Sequence, residues 1–176
     1  MTNKSSQRSY KLRYRPYLYA MAAAFVTTML IAPEVVEGDS MSPALTAGQV
    51  IVITKEDYSE KRDIPDQDEI VVLEKSYTKE FRERSNAKND NAILRVAGLP
   101  GETISSADLL GDYPGPLKLA ENQVWLICDH LPENMKTEDL TGPYLDSRIM
   151  GPVDMKQIRG KARLIVWPLS DIGGIM

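Results

Sequence analysis

Between Pro16 and Pro33 the chain carries no charged residue, and no comparable stretch follows. Its centre, YLYAMAAAFVTTMLIA, would span about 24 Å as a helix, slightly less than a ~30 Å hydrocarbon core. Lys4, Arg8, Lys11, Arg13 and Arg15 precede it, with no acid before Glu34. Downstream, 16 basic residues stand against all 25 acidic ones, a net of −9. A basic head before an apolar span stays on the negative side of a membrane, cytosol or matrix, and sends the rest across. Tyr17 and Tyr19, at the entry to the span, suit the headgroup level. The expected organisation is a basic segment over 1–15, a transmembrane anchor over 16–36, a body over 37–170 and a tail over 171–176. A cleaved secretory signal, an Arg/Ser-rich presequence and a buried soluble helix are the alternatives for the apolar stretch.

The acidic body repels nucleic-acid backbones, so no nucleic-acid partner is expected. One histidine, His130, excludes a multi-histidine metal site, and one cysteine, Cys128, excludes an internal disulfide. There is no Cys/His cluster at metal-ligand spacing and no glycine-rich phosphate loop, so neither metal nor cofactor is expected.

After Pro33 the apolar runs are short, rich in Val and Ile, and bounded by turn formers, which predicts a mostly β body. The expected strands are Gln49–Thr54, Glu69–Glu74, Ala92–Ala97, Gln123–Cys128 and Ala162–Trp167. Without an amphipathic helical window after the anchor, crossover helices are excluded and an open antiparallel sheet follows. Charged segments 55–68 and 75–91 and the polar stretch 131–144 read as surface loops. The closing DIGGIM reads as a free end or a short docking tail.

Three segments carry chemistry: EGDSMSPAL at 37–45, LRVAGLPGE at 94–102 and LDSRIMGPV at 145–153, the last preceded by VWLICDH at 124–130. In this order, after an apolar span, they resemble the nucleophile box, the base-bearing strand and the closing Asp-Ser-Arg box of type I signal peptidases. The resemblance covers about residues 17–168 and implies a β-domain on a single membrane helix. The short length and the Asp129–His130 pair bring it nearest to the mitochondrial inner membrane peptidase. It implies a Ser/Lys dyad, in which a desolvated lysine takes the proton of a serine hydroxyl. Ser40 matches the nucleophile, Met41 and Pro43 the residues shaping the substrate cleft, and backbone N–H groups near Ser40 the oxyanion hole.

The departures are as informative. The base position is Leu94, which accepts no proton. The serine that orients the base is replaced by Tyr144, and the glycine before Asp129 by Cys128. Arg95, Asp146, Ser147 and Arg148 remain as scaffold residues, with both arginines expected on Asp146. Lys75, Lys79 and Lys88 lie in polar runs where an ammonium keeps its ordinary protonation. Ser85-x-x-Lys88 reads as a coincidence, and His130 as structural beside Asp129. The resulting expectation is a non-catalytic signal-peptidase-like subunit of a mitochondrial inner-membrane complex. Its body would face the intermembrane space, with lipid contacts through the anchor. The alternative is an active serine endopeptidase that removes targeting peptides with a base of another kind.

Overall fold

Period-two alternation and short Val/Ile runs build an antiparallel sheet. The computed structural model describes residues 14–24, 30–55, 58, 64–74, 92–105, 116–131 and 144–175. The strands are β1 (Ile31–Val35), β2 (Val50–Thr54), β3 (Ile70–Leu73), β4 (Ile93–Gly98), β5 (Thr103–Ile104), β6 (Leu117–Lys118), β7 (Gln123–Ile127), β8 (Val153–Asp154), β9 (Ile158–Trp167) and β10 (Gly173–Gly174). The main sheet runs β1-β2-β9-β3-β4-β7-β8, with β10 on β9, while β5 and β6 form a small ribbon. All pairings are antiparallel.

All five expected strands form. β3 is buried at every position, so IVVL reads as a continuous apolar run. Its residues feed two cores. Val71 and Leu73 join Leu94, Val96, Leu126 and Ile158 on one side, while Ile70 and Val72 join Met41, Leu45, Ile53 and Ile93 on the other. Alternation along β4 therefore sends Leu94 and Ile93 to opposite faces.

Two boundaries differ from expectation. Ile31–Val35, expected within the anchor segment, instead pairs with β2 as the outermost strand. Pro33 sits comfortably there, since an edge strand spares its missing N–H. Residues 14–24 are helical, but among the described residues no helix is long and apolar enough to cross a membrane. The last strand begins at Ile158, four residues before the expected start. Gly160, inside the strand, serves close strand approach: a Cβ there would meet the Thr54 carbonyl oxygen at 2.2 Å. Of the two readings of the tail, the docked one agrees with the structure. Gly173 and Gly174 pair with Ile165 and Leu164, and Asp171 accepts a 2.8 Å hydrogen bond from Gln49.

The loop expected over 75–91 and most of 131–144 lie outside the described residues. In the first charged segment Tyr58 is buried in the core beside Leu73 and Leu94, and its hydroxyl donates to Glu69. Glu69 also pairs with Lys161 on β9, and Glu34 on β1 with Arg159.

Candidate active site

Ser40 is held by a turn that starts at Gly38, whose φ of +82° suits a residue without Cβ. Two backbone bonds close it: Ser42 N–H donates to the Asp39 carbonyl at 3.0 Å, and Leu45 N–H to Met41 at 2.8 Å. Met41 is 1% exposed and anchors the turn from beneath, packed in the Ile93 core, while Pro43 is exposed after a cis Ser42–Pro43 bond. Ser40 itself is buried, and its carbonyl accepts a 2.9 Å bond from His130 N–H.

That bond is one of the contacts made by three consecutive residues at the end of β7. Cys128 N–H donates to Asp146 Oδ2 at 3.1 Å. Asp129 takes the Arg95 guanidinium in a fork, Nε to Oδ1 at 2.7 Å and Nη2 to Oδ2 at 2.6 Å. His130 reaches Ser40. The segment 128–130 therefore ties together all three boxes found in the sequence: nucleophile turn, β4 and closing box.

The expected pairing of both arginines with Asp146 is half right. Arg148 binds Asp146, but Arg95 goes to Asp129 and donates through Nη1 to the Asp68 carbonyl at 2.7 Å. Geometry decides this: Arg95 lies opposite Ile127 in the β4–β7 register, two residues before Asp129. The Asp129 carboxylate raises the arginine's pKa above its ordinary value, outweighing burial.

Asp146 is fully buried and caps the short helix α1 (Ser147–Met150), accepting Arg148 N–H at 3.0 Å on Oδ1 and Nε at 2.9 Å on Oδ2. Ser147, also fully buried, accepts Leu126 N–H on Oγ at 2.9 Å. The closing box thus satisfies two backbone donors along the last strand of the site. These are structural duties, and they keep Asp146, Ser147 and Arg148 in place whether or not chemistry occurs.

Leu94, expected from the resemblance to stand at the base position, is 1% exposed and packed among Val71, Val96, Leu126 and Cys128. The Cys128 thiol is pushed well above its ordinary range, first by burial and then by the charge of Asp146. It stays protonated and inert. Tyr144, half-buried, directly precedes the buried Leu145 and Asp146. Two of the described lysines are engaged elsewhere: Lys161 with Glu69 and, at 3.6 Å, Asp66, and Lys156 with Asp154 at 3.1 Å. Lys75, Lys79 and Lys88 lie outside the described residues.

Sequence reasoning missed the pairing role of Asp129 and the contact between His130 and the nucleophile turn. The signal available was position alone, since both fall inside VWLICDH.

Comparison with known proteins follows the same boxes. A family model for signal peptidases, peptidase S26, matches residues 12–110, which include the nucleophile turn and β4. Signal peptidase I of Bacillus licheniformis is 23% identical over 181 residues, covering 85% of this chain and 84% of that protein. Signal peptidase I of Leptolyngbya laminosa is 25% identical over 167 residues, covering 89% and 78%. With the Ser40 turn, the Arg95 strand and the Asp146 cap joined around 128–130, this chain belongs to the peptidase S26 family of signal peptidases.

Proposed function

We propose that this chain is a non-catalytic member of its family, held at a membrane and acting by binding. One observation carries the reading: Leu94, which the family resemblance puts at the base position, is closed off from solvent in an apolar cluster. A serine hydroxyl is a weak nucleophile until a positioned base takes its proton. Leucine takes none, and the neighbouring Cys128 thiol is held protonated. What the chain retains are the contacts that shape the site, from the Asp146–Arg148 cap to the Arg95–Asp129 fork. Such a chain keeps a recognition surface and a scaffold without proton transfer.

The membrane location rests on the charge-free stretch 16–33 behind five basic residues, and the role as a subunit of a membrane complex on the loss of chemistry. Both relatives named above are bacterial, so the proposal covers any energy-transducing membrane, the mitochondrial inner membrane among them. The test is replacement in cells depleted of the wild-type chain. Ser40→Ala should support normal growth and intact assembly of the complex. Accumulated uncleaved precursors would overturn the reading.

The second reading, an active endopeptidase, is favoured by the 2.9 Å bond that brings the backbone of the sole histidine to the Ser40 carbonyl. It requires the imidazole to act as base. His130→Gln would then abolish precursor cleavage as fully as Ser40→Ala.

A further inference from the structure

The turn that carries Ser40 returns to the sheet through an exposed limb, Thr46, Ala47 and Gly48, before β2 begins at Val50. Gly48 bends the limb with a φ of +87° and donates its N–H to the Val36 carbonyl at 2.9 Å. Gln49 closes it. Its backbone carbonyl accepts Val36 N–H at 2.8 Å, and its buried side chain uses both ends of one planar amide. Oε1 accepts Thr46 N–H at 3.0 Å, while Nε2 donates to Asp171 Oδ2 at 2.8 Å, 122 residues away in sequence.

Segment 171–175 meets the same region a second time. Ile175 N–H donates to the Arg163 carbonyl at 3.1 Å, and Ile175 packs against the core that holds Val36, Met41 and Leu45, as does Ala44 of the turn. Between the two contacts, Gly173 and Gly174 run along β9. Asp171 ends a one-turn 3-10 helix (Leu169–Asp171), its N–H on the Pro168 carbonyl at 3.0 Å and the Ser170 hydroxyl on its Oδ1 at 2.7 Å. Donation from Gln49 favours the ionised carboxylate and lowers its pKa below the ordinary value.

We infer that segment 171–175 is a strap that holds the Ser40 turn, with the Gln49 amide as its clasp. The order of the turn depends on the strap being seated, and the far half of the sheet does not. This goes beyond the binding role proposed above and does not rest on it. The physical reason lies in the amide, whose donor and acceptor belong to one rigid group. With the strap unseated, Nε2 is a buried donor that has lost its acceptor, a state that costs free energy until the amide turns toward water. Turning it withdraws Oε1 from Thr46 N–H, and the return limb loses that tie. Displacement of a segment far away in sequence is thereby felt at the turn that presents Ser40. β7 packs Val124 and Leu126 into the other core and supplies an internal reference.

Hydrogen–deuterium exchange of the full chain in detergent tests this, read by mass spectrometry on peptides covering 41–49 and 123–127. Asp171→Ala removes the acceptor from an exposed position and leaves Gln49 in place. Exchange over 41–49 should quicken about fivefold or more, the worth of one hydrogen bond, and exchange over 123–127 should stay within about twofold. Asp171→Asn removes the charge but keeps a side-chain oxygen for Nε2, and should hold exchange over 41–49 within about twofold of wild type. The two variants lose the same charge, so their difference reports the clasp itself. Unchanged exchange over 41–49 in Asp171→Ala would overturn the proposal. An equal rise over 123–127, or Asp171→Asn behaving like Asp171→Ala, would overturn it as well. Cleavage does not enter the readout. Catalysis by Ser40 would therefore refute the non-catalytic reading and leave the strap standing.

Discussion

Replacing Leu94 with lysine restores the residue type that the family resemblance places there, and the structure sets its cost. Leu94 is 1% exposed in an apolar cluster, and the nearby Asp146 carboxylate is already taken by Arg148. An unpartnered ammonium there sheds its proton rather than remain charged. With an unfolded pKa of ~10.4, neutralising it at pH 7 costs about 1.36 kcal/mol for each of roughly 3.4 units, or about 4.6 kcal/mol. At pH 9 the same arithmetic leaves about 1.9 kcal/mol. The sign follows from linkage: a lysine pKa lowered by folding destabilises increasingly as pH falls below the unfolded value, and the loss disappears above it. Urea unfolding of the full chain in detergent, wild type against Leu94→Lys, should therefore show a penalty that more than halves between pH 7 and pH 9. Leu94→Met, similar in volume and uncharged, should cost under about 1.5 kcal/mol at both. A penalty for the lysine that is the same at pH 7 and pH 9 would refute the reasoning, because it would mean the ammonium reaches water or a partner carboxylate.

Other outcomes follow from single contacts. Gly160→Ala should be among the most damaging one-atom changes, beyond about 3 kcal/mol in urea unfolding, since its Cβ would overlap the Thr54 carbonyl oxygen. Asp146→Asn should cost about 3–5 kcal/mol by the same measurement, because it leaves the Arg148 charge without its carboxylate in a largely buried setting. Cys128, with its pKa raised by burial, should resist iodoacetamide at pH 8–9 in the native chain and react only as fast as the chain opens.

Much of the fold could be read from the sequence because the sheet is made of runs with a clear period or a continuous apolar character, such as VIVIT and IVVL. What escaped was set by contacts across the sheet. Gly160 carries the signature of a turn in one dimension and of a close strand crossing in three. The end of the apolar stretch, Ile31–Pro33, reads as a continuation of the anchor but opens a strand that finds β2 as a neighbour. In the site, residue types pointed to Ser40, Leu94 and the Asp-Ser-Arg box through the family resemblance, and the structure joins the Ser40 turn, the Arg95 strand and the Asp146 cap around 128–130. Partner choice was hidden. Arg95 takes Asp129 rather than Asp146 because β4 and β7 are neighbours, and that follows from register.

The central claim is that Ser40 has no base, and a single-turnover measurement tests it most directly. Full-length chain in detergent, in excess over a radiolabelled precursor with small residues before its cleavage point, is compared with Ser40→Ala. The account predicts the same background rate for both, since an unactivated hydroxyl contributes nothing to the reaction. Loss of a working nucleophile typically costs several orders of magnitude. A wild-type rate exceeding that of Ser40→Ala by such a factor would contradict the account and identify the chain as a working peptidase.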